Sequence, residues 1–197
     1  MKKKIITISR EFGSGGRAIG EALAKKLNYS YYDKDLITRI AEQSGLAPEY
    51  IEKKNELSPR KGFFSYAFVG RNAAGISMED QIHAIQRDII KDIAERESAV
   101  IIGRNADYIL RDREDSLHVF IHGRMPDKLS RIRTLYQLND REAEKLIHDI
   151  DKRRAANYNY YTDQIWGLAS NYDLTLDSSR LGYEECEKLI MQAAGLY

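Results

Sequence analysis

A short β-branched run, a glycine-rich turn and an amphipathic helical pattern follow one another near the start of the chain. The run is I-I-T-I at residues 5–8, the turn contains Gly13, Gly15 and Gly16, and Ile19 begins the apolar face of the helix. Glycines let the backbone curl so that successive N–H groups point inward, and a following helix adds its unpaired amides and positive dipole end. This order predicts a phosphate site between a strand and a helix.

The turn departs from the usual phosphate loop, G-x-x-x-x-G-K-[ST], whose lysine reaches the terminal phosphates and whose hydroxyl binds magnesium. With Gly15 as the second glycine, Gly16 stands at the lysine position. Arg17 then stands at the hydroxyl position, and Arg10 stands at the first glycine. Arg17 and Arg10 are therefore the candidate replacements for the lysine. A structural strand-to-helix connection without a ligand is the alternative interpretation.

Short apolar runs alternate with helical patterns along the rest of the chain. Further strands are predicted at residues 99–102, 119–121 and 174–176. Strands that alternate with helices predict an α/β fold: a parallel sheet of about five strands in a three-layer α/β/α arrangement. The apolar helix faces are marked by Ile19, Leu23 and Leu27, by Ile82, Ile85, Ile89 and Ile93, and by Leu129, Ile132 and Leu135. Ligands collect beyond the carboxyl ends of such strands, where the glycine-rich turn lies.

Two more helices are predicted in the last third of the chain. Asn139 followed by Glu142 is typical of a capping box, and the helix that it starts is expected to run to about Ala155. A final helix is expected over residues 183–194. A chain of 197 residues fits one domain, residues 1–197.

Composition limits the classes of partner. The 31 basic and 30 acidic residues give a net charge of +1, so no overall field would attract nucleic acid or an anionic membrane. Cys186 is the single cysteine, which excludes an internal disulfide and is consistent with a reducing, cytoplasmic location. No apolar stretch approaches the roughly 20 residues that span a bilayer. Residues 56–77, which include Pro59 and several aromatics, are expected to form a flap, a homo-oligomer contact or a packed loop.

Segments spread over nearly the whole chain resemble the bacterial cytidylate kinases, a branch of the nucleoside monophosphate kinases with a P-loop NTPase fold. The loop S-R-E-F-G-S-G-G, residues 9–16, is similar to the S-R-x-x-G-S-G-G of the divergent cytidylate kinase-like group. Residues 32–39, Y-D-K-D-L-I-T-R, resemble the acceptor-site motif L-D-S-G-x-x-Y-R. G-R-N at residues 103–105 resembles G-R-D, and the basic helix at residues 148–158 resembles the arginine-bearing lid.

The resemblance implies an ATP-dependent phosphotransferase that uses Mg²⁺ and phosphorylates CMP, dCMP or a related small acceptor, with a lid at residues 140–170. Phosphoryl transfer brings two polyanions together, so arginines from separate segments are the expected ligands. The donor phosphates are assigned to Arg10, Gly13, Ser14, Gly15, Gly16, Arg17 and Ala18. The acceptor is assigned to Asp33, Lys34, Arg39, Gly103, Arg104 and Asn105.

Arg17, Arg153 and Arg154 are the candidate catalytic residues, Arg131 is a further basic candidate, and Ser9 or Ser14 is the candidate magnesium ligand. A solvated helix end is the alternative for the two lid arginines. The aromatic residues near the lid are expected either to stack on a base or to pack beside the lid; they are Tyr158, Tyr160, Tyr161 and Trp166.

Two departures from the family pattern concern the acceptor. Lys34 replaces a serine, and Asn105 replaces an aspartate whose two oxygens would accept hydrogen bonds from ribose hydroxyls or a base amine. A kinase of a non-nucleotide small molecule is therefore one alternative. A nucleotide- or anion-binding sensor that kept the fold and lost the reaction is another, because the loop lysine is missing.

Overall fold

The computed structural model describes residues 3–33, 35–45 and 77–196. The predicted acceptor residue Lys34 and nearly all of the predicted contact segment, residues 56–76, lie outside the described residues.

The described residues contain one sheet of five parallel strands, which confirms the predicted fold class. The strands are β1 (Ile5–Arg10), β2 (Ser30–Tyr32), β3 (Ala99–Ile102), β4 (Ser116–His122) and β5 (Leu174–Asp177). Their order is β2-β3-β1-β4-β5, and every neighbouring pair is parallel. Because β1 lies between β3 and β4, the topological switch point is at its carboxyl end, where the glycine-rich turn begins.

Helices cover both faces of this sheet. They are α1 (Gly16–Leu27), α2 (Asp35–Ser44), α3 (Met78–Arg96), α4 (Ala106–Ile109), α5 (Met125–Tyr136), α6 (Asp140–Thr162), α7 (Ser178–Leu181) and α8 (Tyr183–Ala193), with a 3₁₀ turn at Ala169–Asn171. Among the described residues, none of these helices has an apolar stretch long enough to cross a membrane.

Alternate residues of the strands enter different cores. Ile5 and Ile101 pack with α2, α3 and α4, whereas Ile6 and Ile102 pack with α1 and α8. A third cluster joins α5 to α6 through Ile132, with Phe12 of the glycine-rich turn packed against it. Burial on both faces explains why the strands are continuous apolar runs rather than alternating ones.

Three details differ from the sequence expectations. The strand β2 was not predicted, because three residues with two tyrosines give too short a pattern. The helix α6 has the predicted capping box at Asn139 but continues to Thr162 rather than to about Ala155, because Tyr158 and Thr162 continue its buried face. Leu135 was placed on the buried face of α5, and this was wrong, since 62% of it is exposed.

Candidate active site

The glycine-rich turn adopts a backbone that favours glycine. Gly13 and Gly15 have φ angles of 84° and 83°, in the left-handed region. Gly15 is the N-cap of α1 and has no side chain to cap the helix, and the first turn holds no acidic residue. The first amides of α1, those of Gly16, Arg17 and Ala18, therefore have no intrahelical acceptor and are suited to an external anion.

Neighbouring side chains leave no room for a Cβ at three of the site's glycines. A Cβ on Gly16 would lie 2.6 Å from the Cβ of Arg10, and one on Gly15 would clash with the ring of Tyr183. A Cβ on Gly103 would clash with the Arg10 guanidinium. Arg10 at the end of β1 therefore lies directly against the end of β3.

Arginines from three other segments converge on Arg10. The pKa of Arg10 lies well below its ordinary value, first because the guanidinium is buried and then because Arg154 repels it. Arg104 and Arg17 lower this pKa further, whereas Asp33 opposes the shift. The cleft beside Arg10 is lined by Ser9, Arg10, Gln86, Gly103, Arg104, Asn105, Arg154, Asn157, Tyr158 and Trp166. This excess of positive charge suits a polyanion.

The G-R-N segment after β3 has an unusual backbone. Gly103, Arg104 and Asn105 have successive φ angles of 65°, 63° and 55°, and each left-handed non-glycine residue costs about 1 kcal/mol. Gln86 on α3 donates from Nε2 to the Arg104 carbonyl over 2.9 Å. Asn105 donates from Nδ2 to the Asn157 side chain over 3.3 Å. Together with α6, α3 thus supports the strained segment that presents Arg104 to the cleft.

Two predicted residues from different groups form an ion pair. Arg17 Nε lies 2.6 Å from Asp33 Oδ2, although Arg17 was assigned to the donor and Asp33 to the acceptor. The Arg17 side chain is 53% exposed, whereas Asp33 is buried at the end of β2. An exposed guanidinium held at its inner edge by a carboxylate can still offer its other N–H groups to a ligand.

The predicted acceptor residue Arg39 lies elsewhere. Its Nη2 donates to the Tyr32 hydroxyl over 3.1 Å, and its guanidinium lies 4.9 Å from the centre of that ring. The same hydroxyl donates over 2.7 Å to Glu97, which precedes β3 and so belongs to the amino edge of the sheet. Among the described residues that line the cleft, Arg39 does not appear. Its role in acceptor binding stays a prediction that this geometry does not support.

The two arginines of the predicted lid point in different directions. Arg154 donates from Nη1 to the Arg10 carbonyl over 3.1 Å and lines the cleft. Arg153 donates from Nε to the Asp149 carbonyl over 3.1 Å, along its own helix. Successive helical residues are turned by about 100°, which accounts for the difference. Of the two, Arg154 is the one that the fold places beside the loop.

Arg131 contacts Tyr183, an aromatic residue that lies against the start of α1. Its Nη1 donates to the Tyr183 hydroxyl, and its guanidinium lies 5.0 Å from the centre of the Tyr183 ring. Burial lowers the pKa of Arg131. Because the Tyr183 ring contacts Gly15, the pair covers the loop on the side of α8.

The candidate magnesium ligands Ser9 and Ser14 have different surroundings. Ser14 donates its hydroxyl to the Glu11 carbonyl over 2.9 Å, within the loop. Ser9 lines the cleft and donates over 3.2 Å to Asp107. Among the described residues, no group of three or more His, Cys, Asp or Glu side chains is placed to hold a metal ion.

Asp107 is a buried acid that the sequence analysis missed. Only 2% of it is exposed, and it accepts hydrogen bonds from Ser9 and, over 2.8 Å, from the Tyr158 hydroxyl. Burial raises the pKa of Asp107 despite these two donors. The carboxylate orients the Ser9 hydroxyl from beneath the cleft.

Replacing Asp107 by asparagine should make thermal stability less dependent on pH. Because the folded-state pKa of Asp107 is raised above the ordinary value of about 3.9, the folded protein keeps a proton that the unfolded chain releases. The stability that this proton contributes is present at low pH and is lost as the pH rises through the folded-state pKa. Between about pH 4 and pH 7, the melting temperature should fall less steeply with pH for the variant than for the wild type. The same slope for the two proteins would contradict this.

A buried lysine was also missed. Lys128 on α5 is only 5% exposed, and its Nζ lies 2.9 Å from Glu11 Oε2 and 3.5 Å from Asp151 Oδ2. The available signal was its position four residues before the buried Ile132, on the same helix face. Lys128 therefore connects the glycine-rich turn to α6.

Comparison with known proteins identifies the family. The sequence profile of the cytidylate kinase-like family matches residues 5–180. The chain belongs to this family. None of the curated proteins that were compared with it matches.

Solved structures agree with the family assignment at the level of the fold. An uncharacterised protein from Eubacterium ventriosum is 25% identical, with a TM-score of 0.74 over 97% of this chain and 98% of that one. A shikimate kinase from Bacteroides thetaiotaomicron is 18% identical, with a TM-score of 0.55 over 98% of each chain. A gluconokinase from Sinorhizobium meliloti is 16% identical, with a TM-score of 0.55 over 96% of this chain and 90% of that one. The fold is that of the P-loop kinases.

The aromatic residues predicted near the lid of this cytidylate kinase-like protein have separate surroundings. Trp166 lines the cleft and packs edge-on against Phe120 at 5.3 Å. Tyr158 is buried and donates its hydroxyl hydrogen bond to Asp107. Tyr161 stacks on His83 at 3.8 Å, and Tyr160 packs edge-on against Tyr161. Of the four, Trp166 and Tyr158 border the space that a ligand would enter, while the other two pack against neighbours.

Proposed function

We propose that this protein is an ATP-dependent phosphotransferase whose acceptor is a nucleoside monophosphate such as CMP or dCMP. The observation that carries the proposal is the set of four arginines around the carboxyl end of β1, three of which repel Arg10. Such an arrangement is electrostatically unfavourable alone and favourable around phosphates. Membership of the cytidylate kinase-like family supports a phosphotransferase in general.

The loop and its arginines have distinct roles in this proposal. The amides at the start of α1 bind the donor phosphates, and Arg10 and Arg154, which both line the cleft, bind the γ-phosphoryl group. Arg104 binds the phosphate of the acceptor. An acceptor phosphate oxygen attacks the γ-phosphorus, the bond to the β–γ bridging oxygen breaks, and ADP leaves with that electron pair. The arginines neutralise the charge that otherwise keeps two polyanions apart.

Magnesium would be held at this site chiefly by phosphate oxygens, which is its usual state in kinases, and the Ser9 hydroxyl, which is hydrogen-bonded to Asp107, would be its protein ligand. Bound there, it would supply charge neutralisation of the donor phosphates.

Asn105 supports a second candidate, transfer to a non-nucleotide acceptor. Its amide nitrogen donates one hydrogen to Asn157, so one carbonyl oxygen and one N–H remain for a ligand. This is a weaker partner for a ribose diol or a base amine than the carboxylate of the G-R-D pattern.

The decisive measurement is transfer from γ-labelled ATP with magnesium to a panel of nucleoside monophosphates and phosphorylated small metabolites. We expect ADP formation and a labelled diphosphate with at least one nucleoside monophosphate. Transfer to a metabolite alone would favour the second candidate. Calorimetric binding of ATP without transfer to any acceptor would instead indicate a sensor and overturn the proposed reaction.

A further inference from the structure

The middle of α6 is fastened to the glycine-rich turn by one carboxylate. Asp151 accepts a hydrogen bond from the Phe12 backbone N–H through Oδ1, over 2.7 Å. Its other oxygen, Oδ2, lies 3.5 Å from the ammonium of Lys128. The Asp151 side chain is only 16% exposed. A partly buried carboxylate that binds loop backbone on one oxygen and a lysine on the other holds a helix and a loop in fixed register.

Arg154 lies one turn further along the same helix and contacts the same group. Its Nη1 is 3.7 Å from Asp151 Oδ1 and donates to the Arg10 carbonyl over 3.1 Å. Asp151 therefore lies between the loop backbone at Phe12 and the guanidinium that borders the cleft. Two residues of the loop, Arg10 and Phe12, are bound by two residues of α6 that are three positions apart.

Three neighbours of this carboxylate favour its charged form. Burial raises the pKa of Asp151, and the Phe12 N–H, Arg154 and Lys128 oppose that shift without cancelling it. Glu11, the second partner of Lys128, accepts the Gly123 N–H over 3.2 Å, so the loop is also bound to the end of β4. An isolated buried carboxylate would be unfavourable, but one with a lysine, an arginine and an amide donor is satisfied.

We propose that Asp151 is a positioning residue for phosphate binding, holding Arg154 and the Phe12 amide in the arrangement that the proposed transfer requires. The inference rests on the proposed function. It implies that Arg154 is already placed in the protein without nucleotide, rather than brought to the site by closure of a lid.

Electrostatics alone makes the opposite prediction. Removing a negative charge near an anion site should strengthen anion binding, because the repulsion between the carboxylate and the phosphates disappears. If Asp151 acts by positioning, its removal weakens anion binding instead, since Arg154 and the loop lose their common anchor. The sign of the change therefore separates positioning from a simple charge effect.

The experiment compares Asp151→Ala with Asp149→Ala, which removes the same charge from an exposed position on the same helix. Calorimetric titration with tripolyphosphate reports anion binding without any reaction. We expect Asp151→Ala to weaken binding by about tenfold, and Asp149→Ala to change it by less than about twofold. Equal or tighter binding by Asp151→Ala would overturn the inference.

Two further variants guard against a folding defect. Asp151→Asn keeps an oxygen for the Phe12 N–H and should give an intermediate loss, with melting curves confirming that the protein is folded. In an Arg154→Ala background, Asp151→Ala should weaken binding little further, because the group that it positions is gone. Losses that simply add would contradict positioning through Arg154.

The readout also separates this inference from the proposed reaction. A wild-type protein that binds tripolyphosphate but transfers no phosphate would end the proposed reaction, while the Asp151 comparison would still decide positioning. Where transfer occurs, Asp151→Ala should lower kcat more than it raises the KM for ATP, because Arg154 contacts the group that moves.

Discussion

Replacing Arg10 by methionine is expected to lower kcat/KM for phosphoryl transfer by roughly 10²–10³-fold while the thermal midpoint stays level or rises. Burial and three neighbouring arginines lower the pKa of Arg10, so its charge is disfavoured in the folded protein without a bound anion. Methionine removes that unfavourable charge and keeps an unbranched side chain against Gly103. The phosphates lose a preorganised donor at the same time.

The two readouts for Arg10 are steady-state kinetics and a melting curve recorded without nucleotide. Arg96→Met is the matched control, because this arginine is 74% exposed at the end of α3, before β3 and so at the opposite edge of the sheet. We expect the control to leave both readouts unchanged. A destabilised Arg10→Met protein with normal kcat/KM would show that this guanidinium is structural, contrary to the proposed role.

Replacing Lys128 by methionine is expected to destabilise the protein by about 3 kcal/mol. The change leaves Glu11 and Asp151 facing each other without the ammonium that both approach. For a chain of this length, such a loss lowers the thermal midpoint by about 6–12 °C. Chemical denaturation with urea and a melting curve give the two measurements.

The control for Lys128 is Lys188→Met. Lys188 also pairs with a carboxylate, Glu185, at 3.1 Å, but its side chain is 65% exposed, and surface pairs contribute only about 0–1 kcal/mol. A double variant that adds Glu11→Gln to Lys128→Met should recover part of the loss, because one of the two carboxylates that lost the ammonium is then neutral. Equal destabilisation by the two lysine variants would contradict the view that Lys128 neutralises a buried pair.

The fold of this protein was readable from local patterns where those patterns are long. Buried strands such as β1 consist of β-branched residues because both faces are covered, and the capping box at Asn139 is a local hydrogen-bond arrangement. The strand β2 was not predicted, because its three residues form a strand through pairing with β3, a distant segment. The predicted end of α6 was wrong for a related reason, since Tyr158 is held by its hydrogen bond to Asp107 on α4.

The site was readable only in part. The loop glycines could be predicted because special backbone conformations select glycine, whereas G-R-N was recognised only by its resemblance to the family's G-R-D. The sequence could not predict which arginines converge. Arg153 and Arg154 are adjacent and alike in sequence, and only the rotation of about 100° between successive helical residues separates their directions. Arg39 matched a motif, and the structure shows its guanidinium on Tyr32, so its role in acceptor binding stays a prediction. A buried lysine such as Lys128 is recognised only once its two acids are known to be close.

The carbonyl of Ser14 in the glycine-rich turn accepts a hydrogen bond of 2.6 Å from Ser178, and the ring of Tyr183 covers Gly15. The turn is thus supported by a residue 164 positions further along the chain. During translation, a nascent chain that has not yet emerged past Tyr183 can pair β1 with β3 and β4 but lacks this support. Competence to bind phosphate should accordingly appear only after Tyr183 has emerged from the ribosome, later than the pairing of β1 with β3 and β4.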